Sequence, residues 1–378
     1  MWRRCRTAAV IGVCTVGMLA GALLSTGTAT AQAQTSADAR IPWSKVGPGW
    51  ELVQYTTLAT ATQLTTTLYL VGPSGAKYAL RTSHNEQFNL VAWSGDRTRA
   101  LLYDNETGAV RQLNLMTGKL TTFALGGQVS PIGYTLPSGL NILALDSHGS
   151  SFALARYSLV GKLLKVLVSS KWAAFGEAYA PDGATLAVAD STGVDLVSNV
   201  GGVIGHFDVP GTDPSVGCSP ERWWTPSTIL AACIAKSTNS EPRLWLLPAD
   251  GARPTALTPQ RKSGHDQGDF DAWQLSSGLY LQSEGACGVT EINKQAANGS
   301  VTPVNVPGTP NLDNVILTAV GPRLLIEPEG ACRPDYNGLL WYNPATHAEQ
   351  WLFKYSPVAT TLEVIPFNST ENGPGVIY

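Results

Sequence analysis

Charge and sulfur are both scarce in this chain. Asp, Glu, Lys and Arg make up 14% of its residues, and there are six cysteines and three methionines. No two cysteines stand at C-x-x-C spacing, and the five histidines are scattered at 84, 148, 206, 265 and 347. That spacing argues against a zinc site, which draws its ligands from close Cys and His pairs. There is no G-x-S-x-G elbow, no G-x-G-x-x-G, no P-loop and no EF-hand calcium spacing, so no local signature names a nucleophile, a phosphate cradle or a cation loop. No metal and no cofactor are expected. Beyond residue 24 no stretch approaches the ~20 apolar residues of a membrane span, and no segment keeps helical spacing with caps.

What is present begins with an address. Arg3, Arg4 and Arg6 precede an apolar run from Ala8 to Leu24, and Ala29-Thr30-Ala31 offers an A-x-A cleavage site. Residues 1–31 are read as a signal peptide, 32–42 as a flexible leader and 43–378 as one folded domain. Loss of the three arginines takes the formal net charge from −3 to −6. An acidic balance disfavours nucleic-acid and anionic-membrane partners. The expectation is a secreted monomer, outside the cell or at its envelope, with no inserted segment.

Four cysteines, Cys218, Cys233, Cys287 and Cys332, remain after cleavage, an even number suited to two disulfides in an oxidising compartment. Cys287 and Cys332 each close the tetrapeptide EGAC, and the copies lie 45 residues apart. That spacing is an echo of a longer rhythm. An apolar strand, a turn ending in glycine and a short strand recur as "LYLVGPSG", "RQLNLMTG", "ARYSLVG", "VDLVSNVG", "LWLLPADG" and "EINKQAANG". "LLWYNPAT" is a seventh copy without the glycine, and the intervals are 43, 43, 40, 50, 48 and 47 residues. A second hairpin precedes each later copy, as in "WSGDRTRALLY" and "WTPSTILAACI". Two hairpins in 40–50 residues make a four-stranded propeller blade, which needs neighbours to bury its two faces. The fold predicted is all-β, a seven-bladed propeller of four-stranded antiparallel blades. The first unit lacks a clear strand, and the tail carries "TTLEVIPF" beyond a complete seventh blade, so the tail is expected to close the ring.

The hairpin "YAPDGATLAVAD" resembles the strand–turn–strand of the TolB-type, WD-like propeller repeat, whose usual form is aromatic-Ser-Pro-Asp-Gly before an apolar strand. Tyr179, Pro181, Asp182 and Gly183 match, and Ala180 stands for the serine. The resemblance implies a binding scaffold and carries over no active site.

Both EGAC copies follow a second strand, which places Cys287 and Cys332 at equivalent connections of blades 6 and 7. A bridge between them would contribute about 4 kcal/mol in the chain-entropy model. With the blade 5 turn at Thr225-Pro226, Cys218 and Cys233 stand opposite each other, a separation that suits the second disulfide. The connections of blades 6 and 7 share one face with the polar crossover "RKSGHDQGDFDAW". The binding-face candidates are therefore His265, Asp266, Asp269, Glu284, Glu329, Arg333 and Asp335. Trp93, Trp223, Trp224 and Trp273 are read as packing between blades, and Trp172 as an exposed ring. The function expected is that of a non-catalytic module binding a protein, peptide or glycan. The alternative is a carboxylate-based hydrolase or lyase acting on an extracellular polysaccharide.

Overall fold

A computed structural model describes residues 41–367, apart from 61–62, 87, 149–150, 171–176, 215–216, 237–240, 262–265, 286–289, 310–311, 331–336, 355 and 357–358. The chain forms seven four-stranded antiparallel sheets arranged as the blades of a propeller. Blade 2 holds β4 (Asn89–Trp93), β5 (Arg99–Tyr103), β6 (Ala109–Asn114) and β7 (Leu120–Ala124). Blade 3 holds β8 (Val129–Tyr134), β9 (Asn141–His148), β10 (Ser151–Ser158) and β11 (Leu163–Ser170). Blade 4 holds β12 (Glu177–Tyr179), β13 (Thr185–Ala189), β14 (Gly193–Ser198) and β15 (Val203–Asp208). Blade 5 holds β16 (Cys218–Thr225), β17 (Thr228–Ile234), β18 (Pro242–Pro248) and β19 (Thr255–Ala256). Blade 6 holds β20 (Asp266–Leu275), β21 (Gly278–Gly285), β22 (Thr290–Gln295) and β23 (Val301–Pro303). Blade 7 holds β24 (Asp313–Val320), β25 (Arg323–Glu329), β26 (Leu339–Asn343) and β27 (Ala348–Phe353).

Blade 1 is built from both ends of the chain. Three outer strands, β1 (Glu51–Thr60), β2 (Gln63–Val71) and β3 (Lys77–His84), pair in sequence, and β28 (Ala359–Pro366) adds itself to β1 as the innermost strand. The tail closes the ring, as its surplus strand requires. The joint is tied at its end by a hydrogen bond from the Phe367 N–H to the Trp50 carbonyl (2.9 Å) and by Arg97, which donates to the Phe367 carbonyl. Arg97 lies over the Trp93 and Phe367 rings, and burial pulls its pKa down to about 10.

Among the described residues, seven apolar clusters fill the seven gaps between blades. This is the expected consequence of strands apolar on both faces, since each blade covers its neighbour. Trp93 and Trp273 are buried in these gaps and Trp223 and Trp224 pack against them, while Trp172 lies outside the described residues. Ile41, at the end of the stretch assigned to the leader, is buried in the same cluster as Trp50 and Leu90.

The TolB-like hairpin shows why its residues take those places. Tyr179 is fully buried with its hydroxyl on Asn199, and the Asp182 carboxylate accepts the Ala184 N–H at 2.8 Å. Gly183 has φ of +69°, and a Cβ there would lie 2.5 Å from Pro137, so only glycine fits.

Candidate functional site

The antiparallel order puts first-to-second and third-to-fourth turns on one face, and second-to-third connections with the blade crossovers on the other. Of the sequence-derived residues, Asp266, Glu284 and Glu329 stand at strand ends on the second face. Glu284 and Glu329 are half-buried near the ends of β21 and β25, paired in the ladders with Thr290 and Asp313. Asp266 opens β20 opposite Gly285. His265, Cys287, Cys332, Arg333 and Asp335 lie outside the described residues, as does any Cys287–Cys332 bridge.

Two sequence readings need correction here. The polar segment before blade 6 is read above as a crossover loop, yet from Asp266 onward it is strand β20, the innermost of its blade. Asp269 is consequently fully buried rather than displayed, accepting from Ser283 Oγ (2.7 Å) and Arg261 Nε (3.0 Å). Its neighbour Asp271 bonds Arg222 of β16, whose guanidinium lies 4.0 Å over the Trp273 ring. Two arginines supply the positive charge that lets these acids enter a strand.

The second correction concerns hairpin geometry. Cys218 and Cys233 are opposed and bonded, with Cα atoms 4.2 Å apart. The turn, however, is Pro226-Ser227, because Thr225 pairs with Thr228. Two bulges, at Glu221 and Trp224, absorb the difference and restore the cysteine register.

Beneath this face runs a polar framework that sequence reading missed. Gln54 on β1, Gln282 on β21 and Glu327 on β25 occupy one equivalent position: Gln54 and Gln282 pair with the third-strand residue five before the first residue of the third-to-fourth turn, and Glu327, next to the Ile326–Leu340 pair, is in the same register. All three are buried. Gln282 Nε2 donates to the Asn314 carbonyl (2.9 Å), and its Oε1 accepts the Ile316 N–H (2.6 Å), both on the innermost strand of the next blade. Gln54 repeats half of this wedge by donating to the Phe88 carbonyl. The other half comes from Glu363 on β28, whose carboxyl accepts the Leu90 N–H and Gln54 Nε2 (2.9 Å). Blades 3 to 5 carry Leu145, Ala189 and Ala232 at the same position and blade 2 carries Tyr103, so the buried glutamines and carboxyl are confined to consecutive blades 6, 7 and 1. The signal was present: "QSEGAC" and "EPEGAC" align Gln282 with Glu327 as surely as they align the cysteines.

Burial sets the protonation here. It pushes Glu363 up to about 8, against the pull of the Leu90 N–H. Burial first, and then the charges of Glu329 and Glu363, hold Glu327 well above the ordinary carboxylate range. A neutral Glu327 presents one donor and one acceptor, which makes it a counterpart of the two glutamines. Asp313 joins the framework by accepting the Thr290 N–H at 3.1 Å, which anchors the start of β22 below the blade 6 connection. Among the described residues no group of three or more His, Cys, Asp or Glu is arranged to hold a metal ion, and no helix is long and apolar enough to cross a membrane.

No family model matches the chain, and no curated protein matches it in sequence. Solved structures resemble it in fold. A puromycin-hydrolysing peptidase of Mycobacterium tuberculosis superposes with TM-score 0.54 at 12% identity, over 81% of this chain and 54% of its own. This chain thus spans about half the length of that peptidase. A candidate 6-phosphogluconolactonase of Bacteroides fragilis gives 0.52 at 17% identity, over 84% of this chain and 98% of its own. TolB of Acinetobacter baumannii gives 0.45 at 14% identity, over 85% and 68%. At these identities the likeness is one of fold.

Proposed function

We propose that the protein is a secreted, non-catalytic propeller that binds a protein, peptide or glycan through the connections of blades 6 and 7. The observation that supports this most is the restriction of buried polar wedges to blades 6, 7 and 1. Burying glutamines and carboxyls is unfavourable beside the tyrosine, leucine and alanines used at the same position elsewhere. The gain is positional where the hydrogen bonds are seen: Gln282 fixes the innermost strand of blade 7, and Gln54 with Glu363 that of blade 2, and so the loops that leave them. Long polar loops on a rigid scaffold are where recognition concentrates. The arginine-led apolar N-terminus and the Cys218–Cys233 bridge support release into an oxidising compartment.

Replacing His265, Glu284 and Glu329 together by alanine is expected to abolish capture of the partner from the native secreted fraction and to leave the melting temperature nearly unchanged. Lys119→Ala and His347→Ala, in turns of the opposite face, are expected to keep it. Loss with the opposite-face variants and retention by the triple variant would refute the assignment. A second reading rests on one observation, a buried carboxyl held well above the ordinary range, Glu327, standing two residues from Glu329 on the same strand face, as a general acid does beside a second carboxyl. Release of reducing ends from an extracellular polysaccharide, abolished by Glu329→Gln, would favour that reading over binding alone.

A further inference from the structure

The outer rim of blades 3 and 4 differs from the rest of the propeller. Ten large apolar side chains are prominently exposed among the described residues, and seven of them lie on β11, on β15 or in the turns leading into them. The most exposed are Val200 (75%), Val160 (71%) and Ile204 (62%). The remaining members include Leu164 and Val166 on β11 and Val203 on β15.

The two blades present these residues as one surface. The Gly202 N–H donates to the Leu167 carbonyl at 2.9 Å, so the blade 4 turn is fastened to the blade 3 edge. A Cβ on Gly201, at φ +100°, would lie 2.9 Å from the Lys165 side chain, which leaves no gap between turn and strand. Each outer strand also carries a bulge three residues after its turn glycine, at Leu164 in β11 and Ile204 in β15. In both cases the extra residue is apolar and points outward. The bulges in the outer strands of blades 1 and 7 fall instead on Leu80 and Leu352, which are buried. A bulge discourages extension of the sheet by another strand, so the surface is suited to side-chain packing. An apolar patch of this kind on a soluble protein marks an interaction site.

Charge indicates the occupant. Lys162, just before β11, and Lys165, in its first half, are both exposed. The far end of β15 carries Asp208, whose side chain is 80% exposed, beside His206, which it contacts at 3.1 Å together with Asp195 at 2.7 Å. A two-fold axis passing radially through the middle of the rim exchanges β11 with β15 and the start of a strand with its end. That operation sets Lys162 and Lys165 of one copy against Asp208 of the other, twice, around a shared apolar centre. An isologous interface demands this self-complementarity. An anionic membrane would meet Asp208 and Asp195 unfavourably, and the patch lacks the Trp and Tyr of an interfacial anchor.

We infer that the rim of blades 3 and 4 is a docking surface for a second copy of this chain, which forms a two-fold dimer in place of the monomer expected from the sequence. Sedimentation equilibrium of the full chain should show a concentration-dependent dimer. Leu164→Glu with Ile204→Glu should abolish it while the circular dichroism and melting temperature of the fold persist. Lys165→Asp should weaken association, and adding Asp208→Lys to the same chain should restore it, because both contacts across the axis are then reversed. Neither result is expected of a surface that packs on some other protein. A monomer up to the solubility limit, a dimer indifferent to the glutamates, a charge reversal without rescue, or sedimentation with phosphatidylserine vesicles that is lost in the glutamate variant would each overturn the inference.

Discussion

Glutamine at position 363 should make the ring closure stronger, and more so as the solution becomes alkaline. Glu363 lies on the closing strand with its carboxyl on the Leu90 N–H and Gln54 Nε2. Its folded-state pKa of about 8 lies above the 4.5 of an unburied glutamate. The folded chain therefore retains a proton that the unfolded chain gives up. The stability this group contributes is complete below about pH 4.5, and it is lost as pH rises toward 8. At about 1.4 kcal/mol per unit, the loss by pH 7 has an upper limit of about 3 kcal/mol. Glu363→Gln keeps an acceptor for Leu90 and Gln54 and removes the proton linkage. Urea unfolding at pH 5, 6, 7 and 8 is the assay. The parent should lose stability steadily across this range, with Glu327 acting in the same direction. The variant should match it within about 1 kcal/mol at pH 5 and exceed it by about 3 kcal/mol at pH 8. Parallel pH profiles, or a variant weaker at every pH, would refute the claim that a buried neutral carboxyl sits in the closure.

Two further outcomes follow from the same closure and from the hairpin of blade 5. Deleting residues 358–378 removes β28, leaves the β1 edge unpaired and uncovers Val53, Leu52 and Leu90, so the shortened chain should aggregate or fall to limited proteolysis; a shortened chain as resistant as the parent would contradict it. Serine at both Cys218 and Cys233, which close a 15-residue loop, should lower stability by about 3 kcal/mol, and a peptide map without reduction should contain that linked pair.

How far the sequence discloses this molecule depends on what repeats. Every third-to-fourth turn predicted from the glycine rhythm lies between the expected strands, because a turn needs a residue tolerant of positive φ; in the seventh copy that residue is His347, one past the Thr346 that ends the copy. Closure was legible too, as a strand missing at one end and surplus at the other. Bulges were not. An inserted residue leaves the alternation of apolar side chains nearly intact, so the disulfide was placed correctly while the turn beside it was misplaced. The polar wedges escaped for a different reason. Gln54, Gln282 and Glu327 are unremarkable singly, and only their shared register, seen against tyrosine, leucine and alanine in the four other blades, gives them meaning. Asp269 reads as a solvated acid until Arg261 is found 3.0 Å away.

The two proposed surfaces lie on different parts of the disc, and their geometry constrains how they could act together. Blades 6, 7 and 1 stand across the ring from blades 3 and 4, so a dimer formed through the outer rim leaves the blade 6–7 connections uncovered. A radial two-fold axis also turns one disc over relative to its partner. The two binding faces then point in opposite directions, at the far ends of the pair. Such a dimer has no geometry for gripping one flat surface with both sites, and avidity on a single planar target is correspondingly excluded. It can instead link two separate targets, one above the pair and one below. The buried wedges favour the same division of labour. At the wedge position blades 2 to 5 carry tyrosine, leucine and alanine in place of glutamine or carboxyl. Between blades 6 and 7 and between blades 1 and 2, Gln282 and the Gln54–Glu363 pair hold the next innermost strand by hydrogen bonds. The rim is fastened differently, by the Gly202–Leu167 bond and by Asn199, which donates to the Leu136 carbonyl of blade 3, so each proposed surface stands on its own set of ties between blades.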